Sequence, residues 1–500
     1  MVAEGTYASK EAGGGNDDVV AVNIAESTQP DWDEKEERRV KQKIDFILLP
    51  ILGLAFFALQ CDRGNIANAL TDTITEDLKV TTNQINVGNS LLSAGIVVLE
   101  IPSNILLQKV GPQRWLSFQI ISWGLVATFQ AFATNYAGFL VTRILLGLFE
   151  AGFIPGALYT MSTWYKKSET SLRISLFFLG NLLASATVSL IGAGILTMAG
   201  RDGVAGWRWL FIIEGIITIG IGIIFILLLP PRVGYPKPLI GLGRWSYFTP
   251  REQYILVRRV LLDDPSKTTS ELSISGRDVW HTVRNPRILV HVLITLSSTI
   301  SVQAEQTYAP SIIKSLGFSS VKANALFSVG NFIAAAMAVI LGFLADRIRR
   351  RGPSALIGSV WCLISYACLR ESVHYPKWNR YAAIVFATAT NSMVHIINVG
   401  WLSVNCRSPQ QRSVAMALII MAANAAGIAG NQVFRTQDAP LYLHAFTAML
   451  CLAAVCLATV IGQMFWYMWS NRQMAKSGTV PTVQAKTEGI EIVQTWWWTW

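Results

Sequence analysis

Apolar residues run along this chain in blocks that are too long and too unbroken to be the buried faces of soluble helices. A helix that crosses a bilayer needs about 20 mainly apolar residues. Twelve such blocks stand out, at 44–70, 84–108, 114–133, 138–162, 173–198, 207–229, 288–313, 319–345, 354–371, 380–405, 411–434 and 443–470. Short polar connections separate most of them. The exception is 230–287, which is rich in proline (Pro230, Pro231, Pro236, Pro238) and in charge from Arg251 to Arg287. The pattern predicts an all-α membrane protein of twelve transmembrane helices. Its expected layout is a disordered cytosolic tail at 1–43, a six-helix bundle at 44–229, a cytosolic linker at 230–287, a second six-helix bundle at 288–470 and a cytosolic tail at 471–500.

Charge fixes the expected orientation. Cytosolic loops of membrane proteins carry an excess of Lys and Arg. With both termini in the cytosol, thirty of the 41 basic residues fall in tails and inward loops, ten on outward loops and adjacent helix ends, and Arg143 lies inside the fourth helix. The net charge of +10 is thus explained by topology, and no nucleic-acid partner is expected. Composition agrees: hydrophobic residues make up 52% and charged residues 14%, against roughly a quarter charged in an average soluble domain. The polar start of the chain is no signal peptide, so insertion is expected through the first helix. The six cysteines, Cys61, Cys362, Cys368, Cys406, Cys451 and Cys456, read as small buried apolar residues, since nearly all lie in apolar runs and none forms a Cys-x-x-Cys pair.

The two halves repeat. Asn104 to Arg114, with Lys109 and Gly111, follows the second helix; Gly342, Asp346, Arg347, Arg349, Arg350 and Arg351 follow the eighth, at an offset of 238 residues. Both fill a Gly-x-x-x-Asp-Arg-x-Gly-x-Arg-Arg frame, although the first copy lacks the glycine and the aspartate. Parallel six-helix repeats with a site between them are one transporter architecture.

Ionisable side chains inside a membrane are costly and mark function. Asp62 and Arg63 lie 18 residues into the first helix, about 27 Å along it at 1.5 Å per residue. Arg143 lies at a similar depth in the fourth helix, with Glu150 two turns further on nearly the same face. A guanidinium offers paired donors to a carboxylate, and buried carboxylates can carry protons. A static salt-bridge network between helices one and four is the other reading of these residues. Gln60, Asn65, Asn68, Gln303, Glu305, Gln306, Tyr308, His395, Asn398, Trp401 and Asn424 either line a cavity or bond helix to helix. His395, Glu100 and Glu214 read as structural.

These features carry a resemblance. The layout and paired loops resemble the major facilitator superfamily over roughly 44–470. Cys61-Asp62-Arg63-Gly64-Asn65, Glu100-Ile101-Pro102-Ser103-Asn104, Arg143-x-x-x-Gly147-x-x-Glu150 with Pro155-Gly156, and Gly206-Trp207-Arg208-Trp209 are similar to the anion:cation symporter family. Within it the chain resembles fungal permeases for allantoate, nicotinate and pantothenate. The resemblance implies Arg63 as the substrate-carboxylate ligand, with Gln60, Asn65, Tyr308, Asn398 and Asn424 as further binding residues. It implies proton coupling by Asp62 and Glu150, tuned by Arg143, and gating by Lys109, Gly111, Arg114, Gly342, Asp346, Arg347 and Arg350.

No phosphate loop, third glycine after Gly241-x-Gly243, metal cluster or enzyme nucleophile is visible, so no cofactor and no catalysis are expected. The expected partners are a small organic anion, protons and the lipid bilayer, for a monomer in the plasma membrane. Export of an organic acid or secondary metabolite and a non-transporting nutrient sensor remain as alternatives. The Trp496-Trp497-Trp498-Thr499-Trp500 end reads as an interfacial anchor or an unstructured terminus.

Overall fold

The computed structural model describes residues 30–241, 245–263, 276–348, 350–390, 393–406, 409–477, 482–487 and 490–495. The tail before residue 30 and the tryptophans at 496–500 lie outside the described residues. The first half is built from α1 (Glu34–Ala69), the single turn α2 (Ile74–Asp77), α3 (Thr82–Val110), α4 (Pro112–Gln130), α5 (Tyr136–Glu150), α6 (Phe153–Trp164), α7 (Lys167–Leu196) and α8 (Gly206–Leu228). Between the halves lie α9 (Pro250–Asp263) and α10 (Gly276–Val283). The second half holds α11 (Pro286–Ser315), α12 (Ser320–Ile348), α13 (Arg351–Glu371), α14 (Lys377–Thr388), α15 (Met393–Val404), α16 (Pro409–Gly430) and α17 (Leu443–Ser477). An antiparallel hairpin, β1 (Thr482–Thr487) and β2 (Ile490–Thr495), closes the described chain.

All twelve expected spans are helical. Among the described residues ten stretches are long and apolar enough to cross a membrane, with α5 and α6 together making one and α14 and α15 another. The remaining two, α4 and α16, complete the twelve. The first of these carries Gln113, Gln119 and Gln130, all buried, so its polarity is turned inward, away from lipid. Gln113 caps the end of α8 by donating to the carbonyls of Ile226 at 2.9 Å and Leu229 at 2.6 Å. Cys368 and Cys451 are exposed rather than buried, because a spanning helix is apolar on its outer side too.

Two boundaries differ from the hydropathy pattern. Helix α1 starts at Glu34, ten residues before the apolar block. Glu34, Glu36 and Glu37 in its first turn complement the positive end of the helix dipole, and Glu36 accepts the Asp33 N–H at 3.2 Å. This polar extension is held by α9. Lys43 pairs with Glu252 at 2.7 Å, and buried Arg259 reaches Glu169 at 2.5 Å and Glu37 at 3.6 Å. Burial alone would raise the Glu252 carboxyl, but the hydrogen bond and charge of Lys43 together with the hydrogen bonds from Thr249 outweigh it and hold the group below the ordinary glutamate value. Beside this brace Arg173 grips Asp45 with two bonds of 3.0 and 2.8 Å.

The second difference is that the fourth span is broken between Glu150 and Phe153, and that in the tenth the α-helix gives way to a turn after Thr388. Thr388 lies 238 residues after Glu150, the offset that relates the two loop motifs. The two half-helices therefore end at repeat-related positions.

Within the first half α1 packs on α7 and α8, α3 on α5, and α4 on α8; within the second, α11 packs on α16 and α17, and α13 on α17. The halves meet where α7 packs on α12, α3 on α16, and α1 on α11. Glycine allows the closest of these approaches: a Cβ on Gly147 would collide with the Leu92 carbonyl oxygen between α5 and α3.

Candidate functional site

The break in the fourth span builds the site. Ala151 is extended and Gly152 is left-handed, with φ 81°. A Cβ at Gly152 would meet Ser103 Oγ at 2.6 Å, so glycine fits here for both conformation and space. The interruption frees carbonyls in a setting without water. Gln119 Nε2 satisfies two of them, donating to Phe149 at 3.1 Å and Ala151 at 2.6 Å. Glu150 is thereby left on the last residue of a half-helix, where the dipole disfavours negative charge.

Arg63 compensates it. Its Nε donates to Glu150 Oε2 at 2.7 Å. The arginine side chain is 25% exposed and the glutamate side chain 0%. The pair is thus one-sided: the guanidinium keeps an open edge, and the carboxylate keeps a buried Oε1 with no hydrogen-bond partner. The expected meeting of helices one and four occurs through these two residues. Arg143 is buried too, two turns before Glu150. It donates to Asn89 of α3, lies 5.8 Å from the Phe139 ring, and leaves Nε and Nη1 without hydrogen-bond partners.

Asp62 does not join this pair. Adjacent helical residues diverge by about 100°, so while Arg63 faces α5, Asp62 faces α8, where Thr218 donates to it at 3.3 Å. On the same side Asn65 donates to Glu214. Gln60 donates to Asn181 of α7. Asp62 and Arg63 thus face different helices. Glu214, read as structural, belongs to a second buried acidic sector whose Asp62 Oδ1 and Glu214 Oε1 lack hydrogen-bond partners.

Tyr308 and Asn424 bond across the halves. The Tyr308 hydroxyl bonds Asn86 across the halves. Asn86 Nδ2 donates to the Phe434 carbonyl at 2.6 Å, Ser90 to Ile428 at 3.1 Å, and Gln432 to Ser90 at 3.0 Å. The Thr436 N–H donates to Asn83 at 3.1 Å, and Asn324 to Thr71 Oγ1 at 2.7 Å. Asn83, Asn86 and Ser90 recur at three- and four-residue spacing, one face of α3. These contacts lie at the end of the bundle remote from α1's start and α17's finish. The innermost is Asn424 Nδ2 to Glu100 Oε2 at 3.2 Å, so Glu100 links the halves and is not merely packed.

Asn398 is fully buried, its Oδ1 lying 2.6 Å from His291 Nδ1 and its Nδ2 donating to the His291 carbonyl and Thr295 Oγ1 at 2.9 and 3.0 Å. These bonds all lie within the second half. Of the loop residues, Lys109 and Arg114 are exposed. Gly111, φ 95°, makes the one-residue turn between α3 and α4. Gly342, Asp346 and Arg347 sit on the last turns of α12, and Arg350 precedes α13. Arg351 runs over α15 at Gly400, where any Cβ would strike its guanidinium.

Glu305, which the sequence placed among residues that line a cavity or bond helix to helix, is buried on α11 with its Oε1 2.6 Å from Oγ1 of Thr388, the last residue of α14. The repeat offset relates that partner, Thr388, to Glu150.

Comparison with known proteins agrees with this architecture. Residues 52–431 match the model of the Major Facilitator Superfamily. The chain is 28% identical over 449 residues to the uncharacterised transporter YIL166C of Saccharomyces cerevisiae, covering 88% of this chain and 82% of that one. It is 28% identical over 446 residues to the MFS-type transporter cnsO of Penicillium expansum, covering 88% and 85%. In fold it resembles the crystal structure of a bacterial homologue of the human lysosomal transporter Spinster, inward-facing and unoccupied. The TM-score is 0.63 at 16% identity, over 89% of this chain and 99% of that one. The chain belongs to the Major Facilitator Superfamily and is a multi-pass membrane transporter.

Proposed function

We propose that this transporter moves a small organic anion together with a proton, by alternating access between two six-helix units at 44–229 and 288–470. The observation that carries the reading is the Arg63–Glu150 pair, 2.7 Å apart, with the guanidinium edge open and the carboxylate buried. Charge bookkeeping supplies the mechanism. The empty pair is neutral. With a proton on Glu150 and a substrate carboxylate on Arg63, the site is neutral again. The anion alone or the proton alone would leave one uncompensated charge, which is expensive in a low-dielectric interior. Only the two neutral states reorient readily, and this couples the fluxes.

Arg63 is the substrate ligand and Glu150 the proton carrier. Arg143, held by Asn89, keeps a second positive charge near the carboxylate. The termini face the cytosol, as the distribution of basic residues supports, and the plasma membrane is the expected location. The end held by the contacts of α3 with α16 is then the outer one. Export of an organic acid would use the same pair with the gradients reversed. The test is uptake of radiolabelled organic acids into proteoliposomes with and without a proton gradient. Uptake indifferent to collapse of the gradient rejects symport.

A further inference from the structure

The second half carries its own counterpart of the Arg63–Glu150 pair, with different chemistry. In the first half, a side chain of the leading helix reaches the residue at the break of the fourth span. In the second, Glu305 of α11 reaches Thr388, the last residue of α14, at 2.6 Å. Glu305 lies 242 residues after Arg63, within one turn of the 238-residue repeat. The offset itself carries Arg63 onto Ser301, and Glu305 stands one turn further along α11, so the second half offers a carboxyl, not a guanidinium, to the end of its half-helix.

That carboxyl is 3% exposed, and the side chains bonded to it are neutral. Tyr366 OH donates to Oε2 at 3.4 Å, and Thr388 contacts Oε1. The titratable groups facing it are Tyr366 and Cys362 of α13; α14 offers only the Thr388 hydroxyl. An ionised carboxylate buried without a cation is very costly. The hydrogen bonds point the same way. The Thr388 hydroxyl has one hydrogen, yet it sits 2.6 Å from Glu305 Oε1 and 2.8 Å from the Ile384 carbonyl. A carbonyl can only accept. Both short contacts are satisfied when Thr388 donates to Ile384 and a protonated Glu305 donates to Thr388.

We propose that Glu305 holds a proton in this state and is a second exchangeable proton site, in the second half of the transporter. The inference rests on the alternating-access reading, because exchange requires the site to become wet. The structure supplies the route: Tyr308, one turn along α11, bonds Asn86 of the first half. When that contact opens, water reaches the turn that carries Glu305. The proton then passes to water, and the Thr388 hydrogen swings from Ile384 to the carboxylate that remains. No other bond forms or breaks.

Infrared difference spectroscopy of the full-length protein in lipid vesicles, acid minus alkaline and without added substrate, tests this directly. The wild type is expected to show a protonated-carboxyl C=O band. One component should vanish in Glu305→Gln, with one fewer proton taken up per molecule, and persist in Glu150→Gln. Thr388→Val should move that component to higher frequency, and Thr388→Ser should restore it. A Glu305→Gln spectrum identical to wild type, or a component unmoved by Thr388→Val, overturns the assignment. Loss of titration only in Glu150→Gln would also overturn it, while leaving the symport reading intact. Loss of gradient-driven uptake dependence in the wild type would instead remove the symport reading.

Discussion

Replacing Glu150 by Gln imitates the protonated carboxyl permanently and so separates binding from coupling. In the wild type, an anion that arrives without a proton leaves one net charge in the site. A single charge near the middle of a spanning helix costs about 3 kcal/mol on insertion scales. At about 1.4 kcal/mol per decade, the proton therefore improves anion binding roughly 100-fold. The Gln variant has no carboxylate to protonate, and its Arg63 is permanently unpaired. Anion binding should then be as tight as in the fully protonated wild type and flat with pH, where the wild type weakens progressively toward alkaline pH. Gradient-driven accumulation should fall to simple equilibration, while exchange of labelled for unlabelled substrate persists. The assay is paired accumulation and counterflow in proteoliposomes, with nicotinate, pantothenate, allantoate and a dicarboxylate as probes. Arg63 is a quarter exposed, so leaving it unpaired should lower stability less than the about 3–5 kcal/mol of a fully buried broken pair. Accumulation by Glu150→Gln equal to wild type would refute the reasoning. So would binding that retained the wild-type pH slope.

The brace between α1, α7 and α9 makes a separate prediction. Arg259→Met leaves Glu169 and Glu37 without their buried cation and should destabilise by about 3 kcal/mol, read as a lower unfolding midpoint; an unchanged midpoint would argue against it. Glu252 is held below its ordinary value by Lys43 and Thr249. Its contribution is therefore present above about pH 4.3, the unfolded glutamate value, and is lost as pH falls through the lower folded value. Hydrogen-exchange protection of 250–263 should drop across that acid window and be flat above it. Asn424→Leu removes the donor to Glu100 and should favour opening at the remote end. A cysteine at Ser93, which packs against Gly427, would then react faster with an impermeant thiol reagent; unchanged labelling would assign Asn424 no part in closure. Gly152→Ala places a Cβ 2.6 Å from Ser103 Oγ in a left-handed residue and should cost about 1–2 kcal/mol, with transport falling through displacement of Glu150. Wild-type uptake would show that the break tolerates strain.

Hydropathy carried the twelve spans because lipid demands long apolar runs, whatever packs against them. It missed the start of α1, since Glu34 to Lys43 are polar and owe their helix to capping and to contacts with α9, some 200 residues away. It also missed the break in the fourth span, although Gly152 and Pro155 stood in plain view; apolar content does not change across a two-residue interruption. The Arg63–Glu150 pair was legible from depth and face along two helices. The divergence of Asp62 was legible in principle, from the angle between neighbouring helical residues. The enclosure of Asn398 was not, because its partners His291 and Thr295 become neighbours only through packing of α15 on α11.

Amide and hydroxyl hydrogen bonds hold the remote end, beside apolar contacts of Leu70 with the Tyr308–Phe434 cluster and of Val321 with the Ile66–Leu196 cluster. Each such bond contributes only about 1 kcal/mol net, because water replaces the lost partner almost as well. Parting α3 from α16 therefore exchanges protein bonds for hydration at little loss. In the proposed cycle the closed and open arrangements would then differ little in free energy, and the modest imbalance set by one proton and one anion would choose between them.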